Sequence, residues 1–322
     1  MAEVLQEPDE KSGQALLFHS SYSLDDKDLA LVQLLRSDAR MTWAALGASV
    51  SLSADAVRIR IERLIKEGFI RLVTLVDPSL VGKLSRVSIG LITSGPPEIF
   101  VAWARAQPEI IHMVRTIGTF SFFGEFVSDT DATSHRFITE KLQNAPGVVS
   151  VEAWPMLQID KWREDTRAPS TGKDVLETVS WSDDDRELLQ TLSQSPRIQF
   201  RELAEKLGRP YGIVRRRIMT LLDAGVVRPT IVTNELLVDH SHLAILLVKG
   251  DSRAREVLKA RSEVTIVHSS SGSRQFLGEV RADSAAGIAI LAQELRHPDN
   301  GIADVEILLQ VAVDKLPASF QF

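Results

Sequence analysis

Two long stretches of this 322-residue chain are copies of one another, and a chain assembled from copies folds as repeated units. At an offset of 157 positions, the distance from Arg40 to Arg197, the segment Leu24 to Arg71 lies on Trp181 to Arg228 without a gap. Asp26 falls on Asp183, Asp28 on Asp185, Leu31 on Leu188, Leu35 on Leu192 and Leu46 on Leu203. Val57, Arg58, Arg60, Ile61, Leu64, Gly68 and Arg71 then fall on Val214, Arg215, Arg217, Ile218, Leu221, Gly225 and Arg228. A second block aligns at an offset of 154, where Gly118, Gly124, Glu125, Gly147, Val151 and Glu152 meet Gly272, Gly278, Glu279, Gly301, Val305 and Glu306. The architecture is therefore two copies of a two-part module. The polar, Pro- and Gly-containing run Arg163 to Val179 reads as the connector between them.

The first part of each module reads as three helices and a strand. Asp25 or Asp26 can cap a helix that carries Leu29, Leu31, Val32, Leu34 and Leu35, and a short second helix follows Met41 with Trp43 and Leu46 inward. Ser53 is a good N-cap for a third helix running to about Glu67, where Gly68 stops it. Val57, Ile61, Leu64 and Ile65 form one apolar stripe on that helix, as do Val214, Ile218, Leu221 and Leu222 in the second copy. The β-branched runs Phe69 to Val76 and Val226 to Val232 suggest a strand serving as a wing.

A third helix of this kind fits the major groove of duplex DNA, its N-terminal residues facing base edges and its arginines reaching phosphates or guanine. The candidate contacts are Ser53, Ala54, Asp55, Arg58, Arg60 and Arg63 in the first copy, and Pro210, Tyr211, Arg215, Arg216 and Arg217 in the second. Charged residues on one helix equally suit a solvated face; the same layout occurring twice favours DNA. The formal net charge of −6 requires the basic residues to be concentrated on particular helices if DNA is the partner.

From Ser85 the pattern becomes strand, helix, strand, strand, helix, strand, with a hairpin turning at Gly118 and a final strand over Val148 to Ile159. The second copy follows from Leu243 to Val313. This is the order of the split βαβ, ferredoxin-like fold, whose helices cover one sheet face only. The other face needs a partner, so either an intramolecular pseudo-dimer or a homo-oligomer of chains is expected.

The fold class is thus α+β: two winged helix-turn-helix domains, each followed by a ferredoxin-like βαββαβ domain. The expected boundaries are a disordered tail over 1–22, a DNA-binding domain over 23–82, an effector and oligomerisation domain over 83–162 and a linker over 163–180. The second pair of domains covers 181–239 and 240–316, and a short tail covers 317–322. A chain that is 44% hydrophobic and 25% charged can bury enough apolar surface for several such cores. The absence of cysteine excludes disulfide scaffolds and thiolate chemistry. With no long apolar run and an acidic, polar N-terminus, a soluble, cytoplasmic protein without membrane contact is expected. No P-loop, dinucleotide or G-x-S-x-G fingerprint is present, and no cofactor is expected. His240 and His242 share one strand face without the further ligands a metal site needs, and Trp103, Trp154 and Trp162 suit a core or interface.

The run from Leu24 through Ile70, followed by DPSLVG at 77–82, resembles the DNA-binding domain of the Lrp/AsnC (feast/famine) transcriptional regulators. The likeness rests on Leu24, Asp25, Asp28, Asp38, Arg40, Leu46, Leu52, Ser53, Arg60, Leu64, Gly68, Ile70, Asp77 and Gly82. It implies a sequence-specific regulator of duplex DNA whose second part, a RAM-type domain, binds an amino acid or other small metabolite and assembles the protein. The resemblance would place the effector at the sensor hairpins, Gly118, Thr119, Phe120 and Ser121 in one copy and Gly272, Ser273 and Arg274 in the other. These lack the acidic residues usual for the family. The recognition-helix arginine pair is kept as Arg216 and Arg217, whereas the first copy has Ile59 before Arg60. The siroheme decarboxylases of haem biosynthesis also look like paired modules of this kind, so an enzyme is the alternative. His112 with Arg115, and His268 with Arg274, lie near the hairpins such an enzyme would use.

Overall fold

A computed structural model describes residues 22–76, 82–162, 182–224, 227–238 and 241–316. The expected tails and connector lie almost wholly outside these residues, as do Asp77 and His240.

The first helical unit forms where its caps begin it. Helix α1 (Asp26–Ser37) opens on a capping box between Asp25 and Asp28, α2 (Trp43–Val50) on the Thr42 side chain, and α3 (Ala54–Lys66) on Ser53. Leu31, Val32, Leu35, Leu46, Val57, Ile61 and Leu64 make their common core. The α2–α3 turn folds so tightly that a Cβ on Gly47 would lie 2.4 Å from the Leu52 carbonyl oxygen, which only glycine tolerates.

The strand expected after the third helix forms in both units, and each finds its partner in the other copy. β1 (Ile70–Val76) pairs antiparallel with its own copy, β7 (Val227–Thr233), with Val73 opposite Thr230. Val76 packs into the core of the second unit and Ile231 into that of the first. A lone strand leaves its backbone hydrogen-bonding groups unpaired, and the repeat supplies the missing neighbour.

The first sheet consists of β2 (Ser85–Thr93), β3 (Ile110–Ile117), β4 (Phe122–Ser128) and β5 (Val148–Pro155). Its outer face is covered by α4 (Pro97–Ala106) and by α5 (Asp131–Arg136), which runs on through a π-helical turn at Phe137–Leu142. A short strand, β6 (Gln158–Lys161), follows β5.

In the second copy, α6 (Asp183–Gln194), α7 (Phe200–Lys206) and α8 (Tyr211–Asp223) repeat the helical unit, with Leu188, Leu189, Leu192, Leu203, Val214, Ile218 and Leu221 at its centre. After a one-turn helix, α9 (Glu235–Val238), the second sheet contains β8 (His242–Gly250), β9 (Val264–Ser269), β10 (Phe276–Ala282) and β11 (Ile302–Lys315). Helices α10 (Ser252–Ala260) and α11 (Ala285–Leu295) cover its outside.

Strand order is β5-β2-β4-β3 in one half and β11-β8-β10-β9 in the other, joined at both edges into one nine-stranded sheet. The C-terminal half of β11 pairs with β3, and β6 pairs with β9. The single strand expected over Val148 to Ile159 breaks at Met156 and Leu157 because it changes partner there. The Met156 N–H donates to the Arg86 carbonyl, whereas the Leu157 N–H donates to that of Ser269. The inner faces meet through Val114, Phe120, Phe123 and Trp154 from one copy and Ile245, Leu247, Leu277, Leu308 and Val313 from the other. Of the two arrangements that the repeat allows, the two copies therefore cover each other inside one chain.

Candidate nucleic-acid interface

Helices α3 and α8 present different outer faces. On α3, Ser53 accepts from the Ala56 N–H as the cap, and Ala54 and Asp55 are exposed in the first turn. The Arg58 guanidinium is 2.7 Å from Glu62, one turn along, and the Arg63 guanidinium sits 5.1 Å over the Tyr22 ring. On α8, Pro210 occupies the cap position without a side-chain bond, and Tyr211, Arg215 and Arg216 are exposed. Among the described residues neither Arg215 nor Arg216 has an ion pair.

Arg60 and Arg217, grouped from sequence with the candidate DNA contacts, are turned inward. Arg60 lies 2.7 Å from Asp25 and 2.8 Å from the wholly buried Asp28; Arg217 lies 2.6 Å from Asp185 through Nε. The two carboxylates raise the Arg60 pKa. Burial works against ionisation of Asp185, yet Arg217 and Ser182 hold its carboxyl below the usual range. Removing either arginine strands a buried carboxylate, at a cost of about 3–5 kcal/mol. Both arginines thus fasten the third helix to the first. The sequence carried the signal: Asp28 with Arg60 recurs in the second copy as Asp185 with Arg217.

A reciprocal clasp that sequence reading missed joins the two helical units. Arg40 donates to the carbonyls of Pro196 (2.9 Å) and Ile198 (2.8 Å) and lies 4.5 Å over the Phe200 ring. Its copy, Arg197, donates to the carbonyls of Ala39 and Met41 and lies 3.6 Å over the Trp43 ring. Burial, reinforced by the charge of Arg40, lowers the Arg197 pKa to about 10. Arg36 reaches Thr233 at 2.9 Å, and the Thr74 hydroxyl donates to the Leu192 carbonyl at 2.9 Å. These bonds and the β1–β7 ladder fix α3 and α8 relative to each other.

The sensor hairpins differ between copies. Gly118 and Thr119 are exposed, but Phe120 is 3% exposed and meets Trp154 edge-on at 5.6 Å, over Gly90, where a Cβ would be 2.8 Å from the ring. Ser121 accepts from the Thr93 N–H at 3.1 Å. In the other hairpin Gly272 and Ser273 are exposed, Ser273 accepts from the Trp154 indole at 3.3 Å, and Arg274 is tied to Asp304 and to Glu306 (2.8 Å).

Between the sheets, Arg86 binds Glu125, which pairs across the ladder with His112, and His268 contacts the Ser88 hydroxyl at 3.2 Å. Arg115 pairs with Asp314 at 2.9 Å. Burial lowers the His268 pKa to about 4, against the pull of Glu125. Burial opposes ionisation of Glu125 too, but Arg86 and the histidines hold it below the usual carboxylate range. Among the described residues there is no cluster of three His, Cys, Asp or Glu able to hold a metal, and no helix is long and apolar enough to cross a membrane.

Both helical units resemble known DNA-binding domains. An AsnC-type helix-turn-helix domain model matches residues 24–65, and a winged helix-turn-helix DNA-binding model matches residues 185–228. An uncharacterized HTH-type transcriptional regulator of Pyrococcus horikoshii is 28% identical over 142 residues, 43% of this chain and 89% of that protein. An HTH-type transcriptional regulator of Mycobacterium tuberculosis is 33% identical over 100 residues, 30% of this chain and 67% of its own length. The HTH-type transcriptional regulator Zrp of Zymomonas mobilis is 31% identical over 104 residues, 31% of this chain and 68% of its own length. Among solved structures, the siroheme decarboxylase NirDL superposes with a TM-score of 0.58 at 13% identity, covering 92% of this chain and 94% of its own. At that identity the likeness is one of fold.

Proposed function

Because this chain belongs to the Lrp/AsnC family of helix-turn-helix transcriptional regulators, we propose that it grips duplex DNA as a single-chain pseudo-dimer, with α3 and α8 as unequal readers of one operator. It is a DNA-binding regulator; the two-headed mode is our reading. One observation carries that mode: Arg215 and Arg216 stand exposed on α8, in a unit clasped to its copy by Arg40 and Arg197. Cations on a helix that fits the major groove gain phosphate and guanine contacts, and a fixed partner helix adds a second half-site without a second association step.

Within this reading the cytoplasm is the site of action, and the ferredoxin-like domains over 83–162 and 240–316 carry assembly and any effector. An effector would meet Gly118, Thr119 and Ser121 on one hairpin and Gly272 and Ser273 on the other. Phe120 and Arg274 are already engaged with the protein itself.

Mobility shifts on the chain's own promoter region over a salt series test the proposal. Replacing Arg215 and Arg216 by Ala should weaken binding and flatten the salt dependence by about one unit of slope for each phosphate no longer neutralised. Unchanged affinity and slope would remove both residues from the interface.

Catalysis is the second reading, favoured by one observation, the match of the decarboxylase to nearly the whole chain. The purified protein would then carry or take up an iron tetrapyrrole with a visible absorption band, which a wavelength scan detects.

A further inference from the structure

The unequal faces of α3 and α8 imply a specific inequality in the DNA. On α3 the residues opposite the buried stripe of Val57, Ile61 and Leu64 are Asp55, Ile59, Glu62 and Lys66. The corresponding line on α8 is Gly212, Arg216, Met219 and Asp223. Ile59 is thus the counterpart of Arg216, and it is 50% exposed although its chemistry favours burial. It stands in the first half of the helix, where side chains reach base edges. Its cationic neighbours are engaged: Arg58 with Glu62, Arg60 with Asp25 and Asp28, Arg63 with the Tyr22 ring. The centre of this outer face therefore offers a guanine no unpaired guanidinium, whereas α8 offers Arg216.

We infer that Ile59 is a specificity residue that packs on the C5 methyl of thymine in one half-site, while Arg216 reads the O6 and N7 of guanine in the other. The inference rests on the regulator reading and sharpens it. An isoleucine at the groove face gains only from apolar surface, and the thymine methyl is the apolar group the major groove displays. A guanidinium matches guanine with two parallel hydrogen bonds. The operator is consequently two different half-sites rather than a palindrome.

The experiment starts from duplexes selected by the full-length protein out of a random library. Each thymine of the selected operator is replaced singly by deoxyuridine, which removes only the methyl, and each guanine by 7-deazaguanine, which removes only N7. Deoxyuridine should weaken binding about three- to fourfold per methyl that Ile59 covers, in one half-site only, and Ile59→Ala should abolish that difference. The 7-deazaguanine effect should fall in the opposite half-site and vanish in Arg216→Ala. Methyl sensitivity in neither or both half-sites, or its survival in Ile59→Ala, overturns the assignment while leaving a DNA-binding regulator. If the protein enriches no duplex at any salt, the regulator reading itself fails, and the inference with it.

Discussion

Deep between the two sheets, the His268 imidazole is 3% exposed and its pKa lies near 4, with burial the main cause and Arg86 adding to it against Glu125 and Asp160. An unfolded histidine takes its proton near 6.5. From that value down to about 4 the unfolded chain binds a proton that the folded chain refuses, so stability falls with pH through the window. The displacement is equivalent to about 3 kcal/mol, roughly 2 kcal/mol of which disappears between pH 7 and pH 5. Urea unfolding at those two pH values should show this decrease in the wild type and not in His268→Leu; equal decreases in both would refute it. At this scale the sequence was only partly readable. Helical periodicity placed Val57, Ile61 and Leu64 inside and Arg216 outside, because that needs only the helix repeat. It could not turn Arg60 and Arg217 inward, since their carboxylate partners lie a whole helix away in the chain.

Among the elements, the three-helix units and both βαββαβ orders were legible, because caps, periodicity and turn glycines are local signals. What was not legible is pairing between copies. The β1–β7 ladder, the β11–β3 and β6–β9 seams and the Arg40–Arg197 clasp join residues far apart in sequence. Identical local patterns in the two copies gave no sign of whether each served its own unit or the other. The clasp makes a testable demand. Each guanidinium donates to two backbone carbonyls and covers an aromatic ring, so Arg40→Ala or Arg197→Ala should each cost about 2–4 kcal/mol. Because both hold the same joint, breaking it once leaves less for the second arginine to hold, and the double substitution should cost less than the sum of the two single ones. Denaturant melts of the four proteins measure the coupling; strict additivity would mean that the two arginines act independently.

At the scale of the whole molecule, one chain does what two identical chains could do, and cutting it should reveal that equivalence. A fragment of residues 1–162 lacks the cover over Val114, Phe120, Phe123 and Trp154, and leaves β3 without β11 and β6 without β9. A second copy of the same fragment can restore each of these. β3 and β9 hold the same place in the repeat, so β6 of one copy can lie on β3 of another. Asp160 stands at the offset of 154 from Asp314, so it would reach Arg115 just where Asp314 now pairs with it at 2.9 Å. The apolar inner face, the open strand edge and the buried cation are therefore all satisfied by self-pairing. The fragment should sediment at twice its chain mass, and its urea midpoint should rise with protein concentration as a dimer's must. The sandwich of the full chain forms within one molecule, so its midpoint should be far less sensitive over the same range. A fragment that stays folded and monomeric at every concentration would show that the inner face does not need its counterpart.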